Sequence, residues 1–207
     1  NGNGQFGDGT LIDKSRPTAV KGMTNIVALT TGALHTCALK SDGAVACWGS
    51  DDFGQLGDGG EYTGYNTDPV PNPVAVLGLT NVIQISGGLT STCAIEADRT
   101  ISCWGNSTTS PSDVLGLSNI VDIGGGGFAL DAGGLVYVEG NFFMNNVSNV
   151  GSGNPMGPTH WCVIKKDGVA ACWGYNTKGQ LGNGTTATTE VYYSEPIDVL
   201  GGAMFWH

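Results

Sequence analysis

Apolar residues recur along this chain in short runs and in period-two alternation, and nowhere sustain the three-to-four spacing that stripes a helix. The runs from Ile26 to Leu29, Val82 to Ile85 and Ile120 to Ile123 have strand length, and each reads as a buried strand. Downstream of the first lie two arms, Cys37-Ala38-Leu39-Lys40 and Ala44-Val45-Ala46-Cys47, joined by Ser41-Asp42-Gly43. A three-residue hairpin connection wants a left-handed residue at its end, where glycine carries no Cβ penalty. Gly43 and Gly168 fill that position, and Arg99 occupies it in a second copy. The elements predicted are therefore strands and hairpins throughout, and the fold class is all-β.

The hairpin is written three times. His35-Thr36-Cys37 through Cys47-Trp48-Gly49, Thr92-Cys93 through Cys103-Trp104-Gly105, and Trp161-Cys162 through Cys172-Trp173-Gly174 share one pattern. A fourth copy, Gly127 to Gly140, keeps the pattern but carries Phe128 and Val138 where the cysteines would stand. Other motifs keep step with the hairpins. Gly4-Gln5-Phe6-Gly7-Asp8-Gly9, Gly54-Gln55-Leu56-Gly57-Asp58-Gly59 and Gly179-Gln180-Leu181-Gly182-Asn183-Gly184 are one loop. Pro17 to Val20, Pro73 to Val76, Pro111 to Val114 and Pro196 to Val199 are one Pro-x-x-Val strand. A period of roughly 40 to 55 residues means stacked supersecondary units in the range of propeller blades.

The units lay out as 1–49, 50–105 with an insertion at 61–72, 106–140 without cysteines, 141–174 with an irregular outer part, and a partial unit 175–207. The third has only Asn106 to Ser110 where the long loop should be, and Asn141 to Pro158 lacks both the Gly-Gln loop and the proline strand.

Folding each hairpin about its turn puts its two cysteines, ten residues apart, directly opposite one another. Opposed non-hydrogen-bonded strand positions lie about 4.5 Å apart at Cα, within reach of a disulfide. The pairs are thus Cys37 with Cys47, Cys93 with Cys103 and Cys162 with Cys172, and the compartment is expected to be oxidising. The joint loss of both cysteines in the fourth copy agrees. Unpaired buried thiols in a reducing compartment are the alternative, and a zinc site is disfavoured by the absence of a short Cys-x-x-Cys.

Composition narrows the function classes. The 35 glycines without a collagen period suit many tight turns. No apolar run reaches the roughly 18 residues of a membrane span. A net charge of −10 argues against nucleic acid, which is held by lysine and arginine. Asn106, Asn146 and Asn183 open Asn-x-Ser/Thr sequons, glycan acceptors in a secreted eukaryotic protein and chance matches otherwise.

The ordered set Gly-Gln-Leu-Gly-Asp-Gly, Pro-x-x-Val, apolar strand, Gly-x-x-His-Thr-Cys-Ala-Leu, Asp-Gly and Cys-Trp-Gly resembles the regulator of chromosome condensation repeat over nearly the whole chain. The resemblance implies a β-propeller of four-stranded antiparallel blades. About four blades make an incomplete ring, so the chain is expected to be a piece of a longer one. The cysteine pair is a departure from the usual repeat and resembles secreted or surface-attached members.

Candidate chemistry is sparse. His35 and His160 share a repeat position, so a structural contact to backbone is expected in place of catalysis, and no nucleophile motif accompanies them. Asp51, Asp52 and Asp58 could offer oxygens to calcium but lack an EF-hand spacing. No cofactor is expected. Trp48, Trp104 and Trp173 read as packing between blades. Tyr62, Tyr65, Phe142, Phe143, Tyr192 and Tyr193 lie in non-repeating segments, where binding residues on a repeat scaffold concentrate. The reading is a non-catalytic extracellular module for protein recognition or self-assembly. A propeller-type enzyme inhibitor, an exchange factor for a small GTPase and a secreted enzyme with a convergent site are the alternatives.

Overall fold

A computed structural model describes residues 1–60, 68–125, 127–138, 140–151, 160–186 and 192–200. Its strands form four antiparallel four-stranded sheets, each a meander in chain order, and the sheets do not close a ring. The first holds β1 (Ile26–Thr31), β2 (His35–Lys40), β3 (Val45–Gly49) and β4 (Val70–Ala75). The second holds β5 (Val82–Gly87), β6 (Ser91–Glu96), β7 (Ile101–Gly105) and β8 (Thr108–Asp113). The third holds β9 (Ile120–Gly124), β10 (Phe128–Asp131), β11 (Val136–Val138) and β12 (Asn141–Met144). The fourth holds β13 (Val147–Val150), β14 (His160–Lys165), β15 (Ala170–Tyr175) and β16 (Tyr192–Asp198). No helix occurs among the described residues. The first sheet takes its outer strand from sequence beyond Trp48-Gly49, so sheets and sequence units are offset by one strand.

The hairpins have the register that their turns require. Cys37 faces Cys47, Cys93 faces Cys103 and Cys162 faces Cys172. Each pair is a disulfide with a Cα–Cα distance of 4.1 Å. Phe128 faces Val138 at the cysteine-free position.

Each innermost strand begins at an asparagine with positive φ: Asn25 at 58°, Asn81 at 53°, Asn119 at 57° and Asn146 at 63°. The carbonyls of these asparagines accept from Ser41, Ala97, Ala132 and Lys166, so the short amide residue that tolerates left-handed backbone anchors the hairpin tip. Asn146 thereby places β13 inside the stretch that the sequence left irregular, and β12 is the outer strand of the third sheet. Neighbouring sheets are joined at the same tips. The Val82 N–H donates to Gly43 O, Ile120 N–H to Arg99 O and Val147 N–H to Gly134 O, each at 3.1 Å.

The inner strands are not uniformly buried, contrary to the reading of continuous apolar runs. Val27, Ile83 and Val121 sit at or beside the register shifts near the strand starts and are exposed. The next core position depends on its neighbour. Ile85, Ile123 and Val150 are buried at 8%, 5% and 5% exposure because the preceding sheet covers them, whereas the register-equivalent Leu29, on the first of the described sheets, is 63% exposed. At the other end Ile164 is 45% exposed although its equivalents Leu39, Ile95 and Leu130 are sealed. Between these faces run polar links as well: Asp122 accepts from Gln84 Nε2 at 2.7 Å and from Asn149 Nδ2 at 3.1 Å, joining the inner strands of three sheets.

Trp104 shares one apolar cluster with Cys37, Cys47, Leu56 and Val82, so the tryptophan of one sheet packs toward the disulfide face of the sheet before it. Trp104→Ala is expected to cost about 3 to 5 kcal/mol, while Leu115→Ala, at a residue 88% exposed, should leave the denaturant midpoint within error. Arg99 holds φ 70° where Gly43, Gly134 and Gly168 hold 82° to 86°. Relief of that backbone cost by Arg99→Gly should raise stability by about 1 kcal/mol, read as a higher melting temperature. No gain would show that the arginine side chain returns as much as its backbone costs.

Candidate binding cleft at the loop end of the sheets

The Gly-Gln-Leu-Gly loop is a built module. Asn1, Asp51 and Asn176 each turn Oδ1 inward to accept from the backbone N–H of Phe6, Leu56 and Leu181. Gln5, Gln55 and Gln180 accept through Oε1 from the N–H two residues back. Asp8, Asp58 and Asn183 accept from the N–H two residues on. Neutral asparagine does the work of aspartate at two of these places, so the loop needs an acceptor and not a charge. Burial raises the Asp51 carboxyl above the usual carboxylate range, with Asp58 and Asp52 adding to the rise. Among the described residues no three acidic, imidazole or thiol groups gather as metal ligands.

The module accepts from the indole laid over it, and between the first two sheets it seals the gap. Trp48 Nε1–H donates to Gln5 O at 2.8 Å, and Trp104 Nε1–H to Gln55 O at 3.0 Å. Gly7 and Gly57 have positive φ and lie against those indoles, where an added Cβ would come within 2.7 Å of the ring. Leu56 is fully buried beside the Cys37–Cys47 face.

Between the second and third sheets this seal is missing. β7 and β8 are joined by Asn106 and Ser107 alone, at φ 50° and 79°, the geometry of a two-residue hairpin turn. Position 139, which follows Val138 as Trp104 follows Cys103, is glutamate in the sequence. With neither loop nor indole, a cleft of about 740 Å³ opens across the end of the third sheet. Ile101, Cys103, Val114 and Leu117 form one wall. Cys103 is half-buried there while Cys47, its equivalent, is sealed. Phe128, Phe143, Trp161 and Trp173 form the other wall, as an aromatic cluster with Phe143 5.0 Å and Phe128 5.4 Å from Trp173 by ring centroids. No described residue offers Trp173 Nε1 the carbonyl that its two counterparts have.

The residues singled out from sequence fall in different surroundings. Phe143 lies in the cluster and Tyr192 on the cleft rim, edge-on to Tyr175 at 5.4 Å. Phe142 points outward at 60% exposure, and Tyr193 is half-buried on β16. Tyr62 and Tyr65 lie outside the described residues. Asn106 and Asn146 are exposed, whereas Asn183 Oδ1 is engaged by Thr185 and Asn176. The sequence reading missed Phe128, Trp161 and Trp173 as cleft residues. Its signal was the shortened connection at Asn106, read as degeneracy and not as an opening.

Two sequence patterns described as the regulator of chromosome condensation (RCC1) repeat match this chain, over residues 26–55 and 42–95. Residues 26–95 thus match the RCC1 repeat. Protein pim1 of Schizosaccharomyces pombe is 36% identical over 110 residues, 48% of this chain and 20% of pim1. The chain therefore spans about a fifth of that relative's length. Human WBSCR16 has the same fold at a TM-score of 0.73 and 20% identity, over 96% of this chain and 60% of that one. Prp20p of Saccharomyces cerevisiae, solved alongside its binding properties to Gsp1p and histones, matches at a TM-score of 0.70 and 21% identity, over 84% of this chain and 50% of that one. The RCC1-type propeller architecture accounts for the four sheets, and among the described residues no helix is long and apolar enough to cross a membrane.

His35, at the same end of the RCC1 repeats, is sealed between the first two sheets. Its Nε2 meets Thr92 Oγ1 at 2.8 Å, so its partner is a side chain of the next sheet and not the backbone expected from sequence. Its Nδ1 has no protein partner, and burial lowers the imidazole from 6.5 to about 4. The folded state thus takes up the proton at lower pH than the unfolded chain does. The stability from neutral His35 is fully present above pH 6.5 and is lost as pH falls through about 4. The total is about 3 kcal/mol. Denaturant midpoints of the parent chain should fall from pH 7 to pH 5 more steeply than those of His35→Gln, and equal slopes would contradict this assignment.

Proposed function

We propose that this chain is a non-catalytic, protein-binding propeller segment that works in an oxidising extracellular or surface compartment. The observation that carries the reading is the cleft, an apolar and aromatic opening in a scaffold whose first gap is closed by its own loop. Phe143, Trp161 and Tyr192 supply aromatic anchors, with Thr90 and Asn106 as a polar rim. Protein binding by Prp20p, a protein of the same fold, adds support. Three disulfides that close within their own hairpins support the compartment. The non-catalytic part rests on His35, shut away from solvent, and on cysteines held as disulfides. The segments 61–72, 141–158 and 185–194 are proposed to add further contacts to a partner, and Asn106 and Asn146 to be reachable glycan acceptors.

The test is affinity of a purified partner, recovered from the extracellular medium on the immobilised chain, for the parent and for Leu89→Ser and Tyr192→Ser, both at exposed residues that line the cleft. Both variants should melt as the parent does and bind at least tenfold more weakly. A partner that binds all three equally and protects β2, β3, β6 and β7 from hydrogen exchange would overturn the reading.

A further inference from the structure

The occupied gap between the first two sheets shows what the open one is shaped to receive. There the seal is a peptide loop: Leu56 enters the core beside a disulfide, Gly57 lets the backbone lie flat on an indole, and the Gln55 carbonyl takes the indole proton. The open cleft offers the same kind of wall. Cys93 and Cys103 stand where Cys37 and Cys47 stand, with Ile101 at the position of Val45 and Val114 at that of Val76. The equivalence extends to the backbone, since Val114 N–H donates to Ile101 O at 2.9 Å as Val76 N–H donates to Val45 O at 3.0 Å. What differs is the plug. The sequence that would supply it in cis is cut to Asn106 and Ser107, and the indole that would cover it is replaced by Glu139.

We propose that the cleft takes in trans what the first gap holds in cis: a glycine-flanked loop of a partner protein that inserts one aliphatic side chain, leucine in the internal example, against the Cys93–Cys103 face. The walls select such a loop for physical reasons. Ile101, Val114 and Leu117 present no charge to the entering side chain. Gly105 and Gly127, both with positive φ, and Gly125 crowd the mouth with backbone and little side chain, so a chain can pass close over them. Trp173 Nε1–H, at the far wall and without a carbonyl partner among the described residues, is proposed to be met by a carbonyl of the same loop. This inference rests on the protein-binding reading above and assigns the chemistry of the bound segment.

The experiment uses the full chain and two probes. The first is a head-to-tail cyclised peptide of the sequence Asp51 to Gly60, titrated against the chain and followed by amide and indole NMR shifts. The expected result is saturable binding with shifts in Trp173 and in the backbone of β7 and β8. Binding should weaken at least tenfold when the peptide leucine is replaced by aspartate, or when the chain carries Leu117→Glu. The second is a graft in which Asn106 and Ser107 are replaced by residues Ser50 to Gly60. The graft should melt higher than the parent and no longer bind the peptide. A graft that folds, melts no higher and leaves peptide binding intact would overturn the proposal, as would a peptide whose shifts lie away from the cleft. Concentration-dependent self-association abolished by the graft would assign the cleft to a second copy instead. A fluorescent naphthalene probe that binds the cleft when the peptide does not would assign it to small apolar molecules. In either case the partner-loop assignment falls, while an intact partner with a Tyr192-dependent affinity would leave the broader binding function standing.

Discussion

An indole laid toward the disulfide face of the preceding sheet, its N–H tied to a carbonyl of the intervening loop, is the contact that closes the gap between the first two sheets and the standard from which the other gaps depart. It brings together three motifs that are far apart in sequence. The cysteine pair makes a flat apolar wall, the Gly-Gln-Leu-Gly loop supplies a leucine and an acceptor, and the Trp-Gly of the next unit closes over both. Remove any one and the other two lose their partner, since a buried indole N–H without an acceptor is costly. Gly57 follows from the same contact, because a side chain there would have to occupy the space of the indole.

Each sheet touches only its neighbours, so stability is a sum of local terms, as in other repeat proteins. The exposure of Leu29 and Ile164 shows the rule at work. Their side chains are as apolar as those of their equivalents, and among the described residues no sheet lies against them. The loop-end cleft obeys the same logic from within, where an interface survives on its hairpin-tip hydrogen bonds and a shared apolar cluster after its loop and indole are gone.

Much of this was legible in the residues. The hairpins, their turns and the three cystines follow from ten-residue spacing and a terminal glycine, because strand register leaves little choice. The packing of tryptophan between sheets follows from its fixed place beside the second cysteine. Other features were hidden for physical reasons. Asn25, Asn81, Asn119 and Asn146 start the inner strands by adopting left-handed backbone, a role that their polar side chains do not announce. Exposure of Val27 and Leu29 depends on which sheet lies alongside, which an apolar run does not encode. The cleft was invisible because it is made of an omission, and a missing loop reads as degeneracy until its counterpart is seen filled.

The placement of the disulfides also has a mechanical meaning. Every bridge closes within one hairpin, and none crosses from sheet to sheet. Tension applied along the polypeptide would meet covalent stops inside the hairpins of the first, second and fourth sheets, and only hydrogen bonds and apolar contact between sheets. The chain would therefore part by peeling whole sheets from one another, three of them retaining a locked pair of strands, and relaxation would need only re-docking of those hairpins. Oxidation in this arrangement hardens the bricks and leaves the mortar reversible.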